Sequence, residues 1–188
     1  AEDGIRDGSR DWSSDVCSSD LTKAFATQLI AMYLIALQIG RARGEISKSE
    51  ASEIQSELSE LPAKIEQILE TVEPLRELTR KFKNSHSMLF LGRHVGFPIA
   101  LEGALKLKEL AYMHAEGFAG GELKHGPIAL IEEGTPVVAI MPSEGSLLAE
   151  KMASNIQEVK ARGARVIAIA NEKDRKSTRL NSSHGYIS

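Results

Sequence analysis

Glu102, Lys106 and Glu109 lie at i, i+4 and i+7 in the stretch LEGALKLKEL, so on a helix they share one face. A carboxylate held beside an ammonium stays ionised and oriented, and one partly withdrawn from water has its pKa raised toward neutral. Those are the needs of a base that removes a proton from a carbon next to a carbonyl. The plain alternative is a pair of surface salt bridges, each worth about 0.3–0.5 kcal/mol. Spacing alone leaves both open.

A second cluster follows in Gly120-Gly121-Glu122-Leu123-Lys124-His125-Gly126-Pro127. Paired glycines permit a sharp turn and close backbone approach. His125 in such a turn is placed to exchange a proton near neutral pH, or simply to hydrogen-bond across the turn. His114 and Glu116 lie close by, but with a lone His125 they match no ligand spacing, so no metal site is expected. Ser143-Glu144-Gly145-Ser146 offers a phosphate-binding turn at a helix start. Glu144 would repel the anion, and an N-cap at Gly145 or Ser146 is the better reading.

The elements around these residues are periodic. Lys23–Ile39 has a wide apolar helical face, with Gly44 as its stop. Ser49–Ser59 reads as a more polar helix, Pro62 opens a third to Glu70, and Pro74 a fourth to Lys83. Met88–Leu91, Pro136–Met141 and Arg165–Ala170 read as buried strands, separated by helices Pro98–Met113 and Ser146–Arg162. On the first of these helices, Leu101, Ala104, Leu105 and Leu107 or Ala111 are expected on the face opposite the charged trio. Strand–helix–strand–helix–strand implies a parallel α/β layer. Ligands of such sheets bind beyond the strands' carboxyl ends, here at Gly92-Arg93-His94, Pro142-Ser143-Glu144 and Asn171.

The chain has 188 residues, 42% hydrophobic and 26% charged, with a net charge of −3. That composition permits one sizeable core and does not favour nucleic acid. A single cysteine, Cys17, gives no disulfide framework and points to a reducing, cytoplasmic setting. The longest apolar run, Leu29–Leu37, is broken by Gln28 and Gln38, so no membrane span is expected. Residues 1–20 and 174–188 are polar, aperiodic and read as foreign or disordered tails. Between them, residues 21–86 read as a helical segment and 87–173 as a partial α/β domain.

The run LEGALKLKELAYMHAEGFAGGELKHGPIALI, with TKAFATQL and FLGR upstream, resembles the second sugar-isomerase (SIS) domain of the glutamine–fructose-6-phosphate aminotransferases, or glucosamine-6-phosphate synthases. The resemblance spans about Thr22–Asn171. It implies an SIS-type three-layer sandwich around a parallel sheet, preceded by helices that link to a first SIS domain. It also implies an activity: ammonia from glutamine is transferred to fructose 6-phosphate and the product isomerised to glucosamine 6-phosphate. By that resemblance Glu109 is the isomerisation base, Lys106 the lysine beside it and Glu102 a supporting acid. His125 is then the ring-opening histidine, which serves the neighbouring subunit of a homodimer. No cofactor and no metal are implied.

The family's glutaminase domain, its sugar-phosphate loop and its imine-forming C-terminal lysine have no counterpart in these residues, so the 188-residue chain alone is expected to be inactive. The alternatives are another SIS sugar-phosphate isomerase or deglycase, or a sugar-phosphate-sensing regulator. A sensor needs a basic DNA-reading helix, and the helices between Thr22 and Lys83 are not basic enough.

Overall fold

The computed structural model describes residues 21–70, 72–143, 146–170 and 186–187. The chain divides into two compact units, residues 1–72 and 73–188.

In the first unit, α1 spans Leu21–Ala42 and α2 spans Lys48–Glu70. The two helices are in contact, and Leu37 and Ala51 are the buried apolar residues of this unit among those described. Ser47 caps α2 reciprocally: its Oγ accepts from the Glu50 amide at 3.2 Å, and the Ser47 amide donates to Glu50 Oε2 at 2.8 Å. This is a capping box, written in sequence as Ser-Lys-Ser-Glu. The bonds from Ser47 hold the Glu50 carboxyl below its usual range. One expectation is corrected here. Pro62 does not begin a new helix; it lies inside α2, where its missing N–H leaves the carbonyl one turn back without its usual partner. Helix α1 over Lys23–Ala42 is, by length and composition, apolar enough to cross a membrane. Gln28 and Gln38 interrupt the run without lowering the average enough, although a core helix meets the same test.

The second unit holds α3 (Val72–Arg80), β1 (Ser87–Gly92), α4 (Gly96–Ala111), β2 (His114–Ala119), β3 (Pro136–Ile140), α5 (Leu147–Ala161), β4 (Arg165–Ile169) and β5 (Tyr186–Ile187). The five strands order as β2-β1-β3-β4-β5, and every pairing is parallel. The chain moves outward from β1 to β2, then crosses back to β3, so the order reverses between β1 and β3. Beyond the carboxyl ends of those two strands lies the switch-point crevice.

Alternation along β1 builds two cores. Leu89 and Leu91 join Val137, Ala139, Met152, Ile156 and Val159 beneath α5. Met88 and Phe90 point the other way and join Ala100, Ala104, Val138, Ile167, Leu78 and Phe82 beneath α4 and α3. Helices on both faces give the three layers. Leu91 is fully buried, so Leu91→Ala is expected to cost about 2–5 kcal/mol, read as a lower urea midpoint with an unchanged slope.

Strand β2 was not expected. HAEGFA carries no β-branched residue, and β2 forms the sheet edge, where pairing with β1 outweighs weak propensity. Residues 1–20, Glu144, Gly145 and Asn171 lie outside the described residues. Of the segment 174–188, only Tyr186–Ile187 is described.

Candidate functional site

Helix α4 leaves the carboxyl edge of β1 and returns to the amino edge, where β2 starts. Its buried positions, Gly96, Ala100 and Ala104, continue into Leu107, which packs on the same core. Small residues in that stripe let the helix lie close on the sheet. Leu101 and Leu105, 45% and 40% exposed, flank the charged trio, which corrects the expectation that they lie on the face opposite it.

The charged trio lies on the side of α4 away from that buried stripe. Lys106 Nζ lies 2.9 Å from Glu109 Oε2 and 3.4 Å from Glu102 Oε1. The side chains of Lys106, Glu102 and Glu109 are only 15%, 21% and 20% exposed. The pair Lys64–Glu60 has the same i, i+4 spacing as Lys106–Glu102, yet keeps 54% and 58% of its side chains in solvent. The trio is therefore not an ordinary solvated face. One ammonium is shared between two largely dehydrated carboxylates, an arrangement that orients both and leaves each with free oxygen lone pairs.

Burial pulls the Lys106 pKa down, but its hydrogen bonds to Glu109 and Glu102 and their charges outweigh it, so the ammonium is held above its ordinary 10.5. A raised folded-state value means that the charged lysine's stabilisation is complete below 10.5 and is lost as pH rises through the folded value. Subtracting the stability curve of Lys106→Met from that of the parent chain should thus give a difference that is flat at neutral pH and falls above about pH 10. Urea titrations at stepped pH measure it.

His125 sits elsewhere. After β2 the chain makes two 3₁₀ turns, Leu123–His125 and Pro127–Leu130. Gly126 joins them at φ +135°, a conformation that L side chains rarely adopt. His125 Nδ1 lies 2.9 Å from Glu122 Oε2, and both side chains are exposed. His114 and Glu116 are 3.8 Å apart, and no group of three metal-ligating side chains is found among the described residues. Ser146 caps α5, its Oγ accepting from the Ala149 amide at 3.2 Å; that N-cap fits the expectation for this turn.

Sequence reading missed one cluster. Asn155 is 4% exposed, the one buried polar side chain among the described residues. Its Oδ1 accepts from Arg93 Nε at 3.0 Å and Nη2 at 2.8 Å, and Arg93 Nη2 also donates to the Gly120 carbonyl at 3.1 Å. Asn155 Nδ2 reaches Glu158 at 3.4 Å, and Glu158 pairs with Lys124 at 3.0 Å. The signal was an asparagine at i+3 in the otherwise apolar stripe Met152, Ile156, Val159. Next to Arg93, His94 adopts φ +52°.

Glu102, Lys106 and Glu109 are thus brought together and His125 is not. Glu109 stands near the amino-edge end of α4, while His125 follows β2 at the carboxyl edge. A further apolar cavity of about 450 Å³ lies between α3, α4 and the sheet; among the described residues, Lys83 is the one ionisable group in its lining.

Residues 81–187 match the SIS domain. Over 155 residues the chain is 58% identical to the glutamine–fructose-6-phosphate aminotransferase (isomerizing) of Streptomyces coelicolor, covering 81% of this chain and 25% of that one. The chain therefore spans a quarter of the length of such curated relatives. Among solved structures, the C-terminal domain of glucosamine–fructose-6-phosphate aminotransferase from Francisella tularensis superposes with a TM-score of 0.81 at 36% identity, over 88% of this chain and 45% of that one. Glucosamine-6-phosphate deaminase from Thermotoga maritima gives 0.55 at 25% identity, over 80% of this chain and 42% of that one.

Proposed function

This chain belongs to the SIS domain family, and from that premise we propose that it is the isomerase portion of an enzyme making glucosamine 6-phosphate from fructose 6-phosphate and glutamine. The observation that carries this is the half-dry Glu102–Lys106–Glu109 trio, seated in a segment so similar to the Streptomyces enzyme. In this reading Glu109 takes the proton from C1 of the open-chain sugar imine and returns it to C2. Lys106 keeps the carboxylate oriented, and Glu102 shares the ammonium so that Glu109 retains an oxygen for the substrate. No redox step is involved, since the hydrogen removed from one carbon is delivered to the next. His125 supplies proton transfer for ring opening, at the site of the second subunit of a homodimer.

The outward-facing Leu101, Leu105 and Leu110 beside the trio then meet other parts of the larger protein, as does the apolar surface of α1. The intact protein is read as cytoplasmic, with no part in membrane or nucleic-acid binding.

The test is a segment exchange. The 188-residue chain, incubated with glutamine and fructose 6-phosphate, should form no glucosamine 6-phosphate. The Streptomyces enzyme carrying residues 22–171 of this chain in place of its own should form it at a rate within about tenfold of its parent. A folded chimera that binds fructose 6-phosphate without turnover would instead favour the sensing role.

A further inference from the structure

The buried Asn155 shares no hydrogen bond with the charged trio, yet together with its partner Arg93 it ties three separate segments to one another. Arg93 comes from the end of β1, the Gly120 carbonyl from the turn after β2, and Glu158 from the next turn of α5. Glu158 then reaches forward to Lys124, the residue before His125. A guanidinium that donates two N–H groups to one amide oxygen in a mostly buried site is a charge-assisted, directional tie. Position 120 of the turn also has no room for a side chain. A Cβ on Gly120 would come within 2.7 Å of Asn155 Oδ1 and 3.1 Å of the Arg93 side chain.

We propose that Arg93 and Asn155 are positioning residues that clamp the Gly120–His125 turn, and thereby hold His125 at the carboxyl edge; the catalytic consequence rests on the reading of His125 given above. Among the described residues the side chain of His125 has no such anchor of its own, being exposed and bonded to Glu122 within the same turn. Its place is set by the backbone, and the backbone is set by the clamp and by the Lys124–Glu158 pair.

Two measurements test this. In the 188-residue chain, Asn155→Leu keeps the volume and deletes the acceptor. Amide exchange at Gly120, Glu122 and His125, whose N–H groups bond to Gly92, Ala119 and Glu122, should accelerate on the order of 10- to 100-fold. Exchange in β3 and β4 should stay as it was. Arg93→Met keeps the stem and gives the same result should Asn155→Leu not fold. The double variant Asn155→Asp with Glu158→Gln reverses donor and acceptor between the two residues while leaving Arg93 and Lys124 an oxygen each, and should restore slow exchange. Unchanged exchange in the turn, or acceleration spread evenly over the sheet, overturns the clamp.

In the Streptomyces chimera, Asn155→Leu should lower kcat by about tenfold or more with KM for fructose 6-phosphate within about twofold, and the reciprocal double variant should recover it. Full kcat in Asn155→Leu, with Glu109→Gln inactive in the same chimera, removes the positioning role and leaves the site intact. Full activity in Glu109→Gln removes the site reading itself, which the exchange data do not depend on.

Discussion

Glu109→Gln in the complete enzyme should lower glucosamine 6-phosphate formation by about 10²–10⁴-fold while fructose 6-phosphate binds with nearly unchanged affinity. The substitution keeps volume and leaves an amide oxygen to accept the hydrogen bond that Lys106 now gives Glu109 at 2.9 Å. Lys106 also keeps Glu102 at 3.4 Å, so the ammonium does not become an unpaired, partly buried charge. What disappears is the capacity to carry a proton between two carbons. A loss confined to kcat is the signature of an interaction made in the transition state. Turnover and calorimetric binding of the sugar phosphate, measured side by side, decide it. Activity within a few-fold of the parent would show that the trio only braces the helix. The stability of the variant should also change little, because the amide oxygen still accepts from Lys106 and Glu102 keeps the ammonium paired.

How much of this was legible depended on whether one residue's surroundings are local. Strand β1 could be read directly, since four consecutive apolar residues, Met88–Leu91, fit a strand covered on both faces. The parallel pairing of β1 with β3 and of β3 with β4 followed from strands separated by helices. Strand β2 could not be read, because HAEGFA is held by its neighbour rather than by its own preference. The orientation of α4 also escaped. Leucines at 101, 105, 107 and 110 surround the helix on several sides, and the face laid on the sheet is chosen by the small Ala100 and Ala104. The bulkier Leu101 and Leu105 remain outside.

The site divided the same way. Spacing alone placed Glu102, Lys106 and Glu109 together, because i, i+4 and i+7 neighbours are fixed by helix geometry. Spacing said nothing of their dehydration, which depends on the rest of the fold and separates this trio from the solvated Lys64–Glu60 pair. The Arg93–Asn155 tie joins residues 62 positions apart, and no local pattern announces a partner at that range. Only the misfit of an asparagine in an apolar stripe pointed to it.

The separation of Glu109 and His125 within one chain leads to a sharper expectation. If each reaction site of a homodimer takes Glu109 from one subunit and His125 from the other, two inactive variants should repair each other. In a mixed dimer of Glu109→Gln and His125→Ala subunits, one site carries both lesions. The other joins the intact Glu109 of the second subunit to the intact His125 of the first. Random pairing makes half the dimers mixed, and half the sites of those are whole, so about a quarter of parental activity should return on co-refolding equal amounts, as two-fold symmetry requires. Each variant alone should stay at least about tenfold lower than that. Recovery would be read as activity against mixing ratio, with a maximum at equal amounts. Were both residues drawn from a single chain, no mixture would rise above the straight line between the two variants. The same experiment with Asn155→Leu added to the subunit that contributes His125 should cut the recovered activity. Added to the subunit that contributes Glu109, it should leave that activity unchanged, because the clamp acts on the turn of its own chain.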